Sequence, residues 1–190
     1  MLYVIGKPLF WLYYRIFFRL KVIGRENVPK TGGVVLCANH ISANDTLVLG
    51  AATKRRVHFL AKKEVFKYKI FVPVLKALNG IPIDRENPER HVIKRIIATL
   101  EGGGVLGIFA QGTRKSEIDP DDAKSGAAFF ALKSGACIIP VKIESTYRFF
   151  SRITVTFGHP VSTEEHKGKK LKSELLNEVT KQVMNAIIDA

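Results

Sequence analysis

The sequence contains few cysteines and no metal-binding motif. Its two cysteines, Cys37 and Cys137, each lie within an apolar run typical of a buried strand. Cysteines in such runs behave as small core residues, so we exclude a disulfide framework and expect a reducing compartment. The chain has no C-x-x-C pair, and its five histidines lack metal-ligand spacing. We therefore expect no metal site.

Long apolar runs are also missing. The most apolar segment, residues 1–20, is interrupted by Lys7, Pro8, Arg15 and Arg19, whereas a membrane-spanning helix needs about 20 mostly apolar residues. We interpret it as an amphipathic segment that docks in the membrane interface, because its aromatic residues are of the types that settle at headgroup depth. These residues are Trp11, Tyr13, Tyr14, Phe17 and Phe18. The alternative is a helix packed on the protein's own core.

Acidic residues are scarce, with 17 Asp and Glu against 30 Lys and Arg, a formal net charge of +13 and a pI near 9.9. Such an excess attracts polyanions, that is nucleic acid, an anionic membrane surface or phosphorylated small molecules. The basic run 53–69 fits an anionic lipid surface or a solvated face. No nucleic-acid-binding motif appears. We therefore expect an anionic membrane surface and no nucleic acid as partner, and a basic nucleic-acid-binding module is the remote alternative.

Residues 21–190 have the composition of a single globular domain, since the whole chain is 46% hydrophobic and 25% charged. Short apolar runs alternate with longer amphipathic ones, which is typical of α/β proteins. We expect a mixed, mostly parallel sheet flanked by helices. The predicted strands cover 33–38, 57–61, 81–85, 104–110, 137–143 and 152–158. The predicted helices cover 45–53, 63–78, 89–100, 125–136 and the segment from residue 170 onward, and 63–78 is either one helix or a pair of short helices broken near Pro73.

A histidine and an aspartate stand five positions apart where the first predicted strand ends. His40 follows that strand, and Asp45 begins the next predicted helix. The turn between them is short enough for Asp45 to accept the Nδ1 proton of His40, which leaves Nε2 free to take a proton from a hydroxyl group. This pair forms two thirds of a serine-hydrolase triad.

A protein nucleophile to complete the triad is missing. Ser42 and Cys37 are the nearest candidates, but Cys37 is expected to point into a strand core and Ser42 to serve the turn or cap the helix. The sequence has no G-x-S-x-G elbow. We infer that the substrate supplies the hydroxyl group and that His40 acts as its general base.

Four blocks of sequence, in this order, resemble the glycerophosphate and lysophosphatidic acid acyltransferases. The blocks are NHISAND (39–45), with Asn39, His40 and Asp45; NGIPIDR (79–85), with Asp84 and Arg85; FAQGTRKS (109–116), with Gly112, Thr113 and Arg114; and IIPV (138–141). The resemblance covers about residues 24–160. It departs from the family's usual F-P-E-G-T-R block, because Ala110 and Gln111 replace the Pro and the Glu.

The resemblance implies roles for these residues. The histidine deprotonates a glycerol hydroxyl group, which attacks the thioester of an acyl carrier, and Arg85 and Arg114 bind the acceptor's phosphate, which a guanidinium group matches in geometry. The alternative is that both arginines form surface salt bridges. Gly112 allows close backbone approach, and Thr113 offers an amide and a hydroxyl group to the phosphate or the oxyanion. The alternative is that these two residues form an ordinary strand-end turn.

The resemblance also implies substrates. We expect acyl transfer from an acyl-carrier-protein or coenzyme A thioester to lysophosphatidic acid, with glycerol 3-phosphate or another lysolipid as the alternative acceptor. Asn39 and Gln111 are expected to support the site, and a glutamine cannot anchor Arg114 as a carboxylate would. No cofactor is expected. The protein is expected at the cytoplasmic face of the cell membrane, as a peripheral or monotopic protein.

Overall fold

The apolar runs of the sequence form the strands of one seven-stranded sheet in a computed structural model of the chain. The structure describes residues 2–190 except residues 71, 78, 85–86, 116 and 167–169. The strands are β1 (Leu20–Ile23), β2 (Val34–Ala38), β3 (Val57–Lys62), β4 (Ile81–Ile83), β5 (Val105–Phe109), β6 (Cys137–Ser145) and β7 (Ile153–Phe157). The α-helices are α1 (Leu2–Phe17), α2 (Asp45–Ala52), α3 (Val72–Ala77), α4 (Arg90–Glu101), α5 (Gly126–Ser134) and α6 (Ser173–Ile188).

The sheet is mixed and mostly parallel, as predicted. Its strand order is β1-β7-β6-β2-β5-β3-β4, and β6 with β7 is the antiparallel pair. The register places Ala38, the last residue of β2, beside Phe109 of β5 and Val141 of β6. Because parallel strands end at the same edge of a sheet, the loops that follow β2 and β5 meet at this carboxyl edge.

Two hydrophobic layers cover the sheet. Every residue of β2 is buried, which is what a strand covered on both faces requires. Val34, Leu36 and Ala38 pack into one core with α1 and α2, whereas Val35 and Cys37 pack into the other with α4, α5 and α6. Successive side chains of a strand point to opposite faces, so this one run serves both cores.

The amphipathic tail also folds as predicted. Val179, Val183 and Ile187 of α6 are buried, and Leu175 packs partly against the same core. Their spacing of four residues places them on one face of the helix, which therefore closes that side of the sheet.

Three predictions of secondary structure need correction. Strand β1 was not predicted, because it lies at the sheet edge beside β7 and has only four residues with mixed burial. Of the two alternatives for 63–78, the structure has two short elements, a 3-10 segment, Lys63–Lys67, and α3, but Pro73 lies within α3 and not at the break between them. The predicted strand 81–85 ends at Ile83.

Helix α1 has two different apolar faces. Tyr14, and Phe18 just after the helix, are buried against the core, so the prediction that these two rings lie at headgroup depth is wrong. A helix repeats every 3.6 residues, which places positions four apart on the same inward face. Among the side chains of this segment that the structure describes, the exposed large apolar ones are Leu9, Leu12, Tyr13, Ile16 and Phe17. None of the described helices combines the length and the apolarity needed to cross a bilayer.

Candidate active site

The predicted histidine and aspartate meet at the carboxyl edge of the sheet. Strand β2 ends at Ala38, His40 lies two residues beyond it, and Asp45 is the first residue of α2. The Nδ1 atom of His40 lies 2.7 Å from Oδ2 of Asp45, which is fully buried. A carboxylate only accepts hydrogen bonds, so Nδ1 carries the proton and donates it, and Nε2 keeps its lone pair.

Asp45 is fixed by the loop that it follows. The backbone N–H groups of Ile41 and Ser42 each donate to Oδ2 at 2.7 Å. Together with the His40 ring, three N–H groups converge on one carboxylate oxygen. The loop and the first turn of α2 therefore hold the carboxylate in one orientation toward His40.

Tyr147 is a partner of Asp45 that the sequence did not indicate. It lies in the turn after β6, and its hydroxyl group donates to Oδ1 of Asp45 at 2.5 Å. Burial raises the pKa of Tyr147 far above its usual value, and the hydrogen bond to Asp45 raises it further. The phenol is therefore a proton donor at any physiological pH.

Phe109 forms one wall of the histidine site. Its ring stacks on the ring of His40 with 3.9 Å between centroids and 13° between planes. As the last residue of β5, Phe109 is paired with Ala38 of β2, so the sheet register places it beside the segment that carries His40. The side chain of His40 is 14% exposed, so only part of the imidazole is open to a substrate.

Asn39 supports the site as a clamp between strands. Its Nδ2 donates to the carbonyl oxygen of Ile143 at 2.9 Å, and the backbone N–H of Ile143 donates to its Oδ1 at 2.7 Å. Asn39 is 4% exposed, so it does not present a polar group to a substrate. It ties the end of β2 to β6 directly before His40.

The loop after β5 is attached to the histidine segment. The backbone N–H of Ala110 donates to the carbonyl oxygen of Ala38 at 2.8 Å, and that of Lys115 donates to the carbonyl oxygen of His40 at 2.8 Å. Gly112 has a φ of 69°, a left-handed conformation that favours glycine. The loop therefore turns sharply at Gly112 and returns to the histidine.

Gln111 lies inside this loop. Its Nε2 donates to the carbonyl oxygen of Glu117 at 3.1 Å, and its Oε1 is buried without a hydrogen-bond partner among the described residues. Gln111 therefore stabilises the loop through its amide nitrogen, while Arg114 lies on the outside and is exposed. Thr113 is exposed beside it.

A basic groove of about 540 Å³ opens beside His40. Arg114, Lys115 and Lys142 line it together with Glu144, and Asn39 and Ile41, the neighbours of His40, contribute to its wall. The remaining lining residues are Ile118, Ile143 and Ser145. Within the described parts of the chain, none of the ion pairs involves Arg114, so its guanidinium group remains available to an anion.

The second arginine of the sequence prediction, Arg85, lies outside the described residues. Asp84, just before it, accepts the backbone N–H of Asn87 at 3.1 Å. Strand β4, which precedes Asp84, is separated from β2 by β5 and β3. The described structure therefore brings together Asn39, His40, Asp45 and the loop that carries Arg114.

Comparison with known proteins agrees with this architecture. The model of the Acyltransferase family matches residues 19–144. A 1-acyl-sn-glycerol-3-phosphate acyltransferase of Bacillus subtilis strain 168 is 38% identical over 122 residues, which are 64% of this chain and 60% of that protein. A protein of the same name from Borreliella burgdorferi is 28% identical over 172 residues, 90% of this chain and 68% of the relative.

A solved structure shows the same fold. The crystal structure of the 1-acyl-sn-glycerophosphate (LPA) acyltransferase PlsC from Thermotoga maritima matches with a TM-score of 0.68 and 24% identity, over 99% of this chain and 77% of that one. The chain spans only about 60% of the length of the Bacillus relative. Because the family model covers the sheet from β1 to β6 together with the His40 segment, the chain belongs to the Acyltransferase family.

Proposed function

We propose that the protein transfers a fatty acyl chain from an acyl-carrier-protein or coenzyme A thioester to the free hydroxyl group of lysophosphatidic acid, giving phosphatidic acid. The observation that carries the proposal is the hydrogen bond between Nδ1 of His40 and the buried Asp45. The names of the Bacillus and Borreliella relatives support this acceptor. The reaction draws its acyl group from the thioester and uses no bound cofactor.

In the proposed reaction, His40 is the general base. Its Nε2 removes the proton from the acceptor hydroxyl group while the hydroxyl oxygen attacks the thioester carbonyl carbon. The C–S bond then breaks, and the imidazolium returns the proton to the departing thiolate, so that an ester and a free thiol are the products. The Asp45 carboxylate stabilises the imidazolium, and base catalysis of this kind contributes roughly 10²- to 10⁴-fold in rate.

The candidate protein nucleophiles are poorly suited to forming an acyl-enzyme. Cys37 is 2% exposed, and burial raises the pKa of its thiol to about 12, which keeps it protonated. The side-chain oxygen of Ser42 accepts the backbone N–H of Asn44 at 3.2 Å and serves the turn. Direct attack by the lipid hydroxyl group is therefore the mechanism that these residues favour.

The basic groove is the proposed phosphate site. Arg114, Lys115 and Lys142 line it with Glu144, next to the histidine segment. Lys115 forms an ion pair with Asp122, so the positive charge left for a phosphate comes from Arg114 and Lys142. A guanidinium group can bind two phosphate oxygens at once, whereas an ammonium group acts as a point charge. We assign Arg114 as the main phosphate ligand, with Gly112 and Thr113 lending an amide and a hydroxyl group, and we retain Arg85 as a second ligand.

We further propose that residues 1–20 dock the single acyltransferase domain, residues 21–190, on the cytoplasmic face of the membrane. The exposed apolar side chains of α1 support this role, because a bilayer would cover them. The exposed arginines Arg15 and Arg19 can contact anionic headgroups. The domain then meets its lipid acceptor at the surface where that lipid resides.

The test is a transfer assay with a labelled thioester and lysophosphatidic acid. His40→Ala is expected to lower the rate by roughly 10²- to 10⁴-fold. His91→Ala is the matched control, since the side chain of His91 is 75% exposed on α4, and this variant should retain the wild-type rate. A His40→Ala protein that transfers at the wild-type rate would refute the proposed function of His40.

A further inference from the structure

The turn between β6 and β7, residues 146–152, carries two of the most exposed aromatic side chains of the described structure. Phe149 is 67% exposed and Phe150 is 62% exposed. Their rings lie beside the end of α1, with 6.4 Å between the centroids of Phe17 and each of them. The turn and α1 therefore form one continuous apolar surface, which we call the aromatic surface and define as Leu12, Tyr13, Ile16, Phe17, Phe149 and Phe150.

The aromatic surface has a fixed shape. The backbone N–H of Phe150 donates to the carbonyl oxygen of Phe17 at 2.6 Å, and that of Ile153 donates to the carbonyl oxygen of Phe18 at 3.0 Å. The ring of Phe149 stacks on that of Phe18 at 5.5 Å, and Phe18 is buried in the core. The turn is thus held against the end of α1 by main-chain hydrogen bonds and by a buried ring.

The charges around the aromatic surface identify its partner. Arg148 and Arg152 flank the exposed rings in the turn, Arg15 and Arg19 lie at the end of the helix, and all four are exposed. Neither residues 1–20 nor residues 146–152 contain an Asp or a Glu. Exposed aromatic rings in segments whose charged residues are all cations match an anionic lipid bilayer, in which rings settle at headgroup depth and arginines bind phosphates.

The same turn reaches the candidate site. Tyr147 stands two residues before Phe149, and its hydroxyl group donates to Asp45 at 2.5 Å. Tyr147 and Phe150 have φ values of 53° and 62°, which hold the turn in a left-handed conformation that residues other than glycine seldom adopt. The exposed rings therefore belong to the same short, well-defined segment as Tyr147, the hydrogen-bond partner of Asp45.

We propose that the β6–β7 turn is a second membrane-contact element beside α1, and that Tyr147 is a positioning residue through which contact with an anionic bilayer stabilises the orientation of Asp45 toward His40. The part of this inference that concerns the reaction rests on the proposed function. Lipid contact by the turn is independent of it. In the membrane-bound protein, the turn inserts its two phenylalanine rings next to the edge of the sheet where the lipid acceptor is used.

Vesicle sedimentation tests the contact. The wild-type protein should bind vesicles that contain phosphatidylglycerol, and the double variant Phe149→Ser and Phe150→Ser should bind them roughly tenfold or more weakly. The variant should keep the wild-type fold in circular dichroism, because the main-chain hydrogen bonds of the turn to α1 remain. Ile188→Ser is the control, because Ile188 is 38% exposed at the end of α6 on the other face of the sheet. Equal binding by the double variant and the wild type would overturn the proposal. It would also be overturned if the wild type self-associated without lipid and the double variant did not, because a second copy of the chain would then cover the surface.

A transfer assay with a short-chain, water-soluble lysophosphatidic acid tests the coupling. Empty anionic vesicles should raise the kcat of the wild-type protein and leave that of the double variant unchanged. Tyr147→Phe should lower kcat roughly tenfold or more, because Asp45 loses a charge-assisted hydrogen bond. This variant should keep the KM of both substrates and its vesicle binding. A kcat of Tyr147→Phe equal to that of the wild type would refute the positioning role. A lower kcat that is accompanied by lower stability and a higher KM would also refute it.

The two proposals fail in different ways. If His40→Ala is inactive while the double variant responds to vesicles as the wild type does, the turn has no membrane role and the proposed function stands. If His40→Ala remains active, the proposed function fails, and vesicle sedimentation still decides the role of the turn.

Discussion

At the scale of single residues, His40 is restrained at three places, two on its ring and one on its backbone. Asp45 accepts its Nδ1 proton, Phe109 stacks on its ring, and the backbone of Lys115 binds its carbonyl oxygen. A base that is held in advance needs little reorganisation when the substrate arrives, so most of the binding energy remains available for aligning the hydroxyl group.

Arg114 should discriminate between the two substrates. Arg114→Lys is expected to raise the KM of the phosphate-bearing acceptor roughly tenfold and to leave that of the thioester nearly unchanged, since lysine cannot bind two phosphate oxygens in one plane. Steady-state kinetics with each substrate varied in turn provide the measurement. Arg90→Lys, an exposed arginine on α4, is the control. An equal rise in both KM values would contradict a phosphate role.

Cys37 should be chemically silent in the folded protein. Burial raises the pKa of its thiol to about 12, so it carries almost no thiolate near neutral pH and no reagent reaches it. Iodoacetamide should modify Cys37 only after unfolding in urea, as peptide mass spectrometry will show. Rapid modification of Cys37 in the native protein would mean that β2 is open to solvent.

The sequence predicted the site only where its contacts are local. His40 and Asp45 are five residues apart across a strand-to-helix turn, so their spacing, together with the predicted strand end and helix start, indicated the hydrogen bond. Tyr147 is 102 residues from Asp45 and reaches it through a turn whose path depends on α1. Phe109 meets His40 only because the register of β2 and β5 is fixed. Local sequence patterns do not indicate such contacts between residues that are far apart in the chain.

At the scale of secondary-structure elements, the three strands β5, β2 and β6 form the rigid base of the site. The Asn39 clamp joins two of them where the strand of His40 ends. Buried main-chain groups must be paired, so the clamp contributes to stability as well as to position.

Removal of the clamp should therefore affect both stability and activity. Asn39→Ala leaves the N–H and the C=O of Ile143 buried without this partner, which is expected to cost about 2 to 4 kcal/mol of unfolding free energy. Urea denaturation gives that value, and kcat should fall in parallel. Asn87→Ala, at an exposed position, should change neither. A fully stable Asn39→Ala protein would show that β2 and β6 do not need the side chain.

Docking of α1 should respond to pH through Lys7. Its Nζ donates to the carbonyl oxygen of Arg55 at 3.0 Å, and burial, followed by the nearby Arg25, lowers the pKa of Lys7 from 10.5 to about 8. Between these two pKa values the unfolded chain binds more protons than the folded one, so Lys7 makes stability rise with pH from about 8 to about 10.5.

The Lys7→Met variant isolates this effect. Its unfolding free energy, measured by urea denaturation across the same pH range, should rise less steeply with pH than that of the wild type, because the perturbed amine is gone. Identical slopes for the two proteins would place the amine of Lys7 in water and not against Arg55 in the turn between α2 and β3.

Elements were predictable where burial was strong. Continuous apolar runs revealed β2 and β6, and the spacing of four in the tail revealed α6. The edge strand β1 has no such signal, since only its partner β7 makes it a strand. The two-sided character of α1 also escaped prediction, because the same aromatic residue types serve the core at Tyr14 and the surface at Tyr13.

At the scale of the whole molecule, the parallel topology gathers separate functions at one edge of the sheet. The loops after β2 and β5 carry the histidine and the basic groove, and the turn after β6 carries Tyr147 and the exposed phenylalanines. In the proposed function, the net charge of +13 acts at two places, the groove for the acceptor phosphate and the aromatic surface for the lipid headgroups.

The central claim is that Asp45 fixes His40 with the proton on Nδ1 and the lone pair on Nε2. Long-range ¹⁵N–¹H NMR of the native protein at about pH 8, where an ordinary histidine is neutral, measures this directly. We expect a protonated Nδ1 and an unprotonated Nε2 for His40, and loss of that preference in Asp45→Asn. A wild-type ring that carries its proton on Nε2 would leave no base facing the acceptor and would rule out the role proposed for His40.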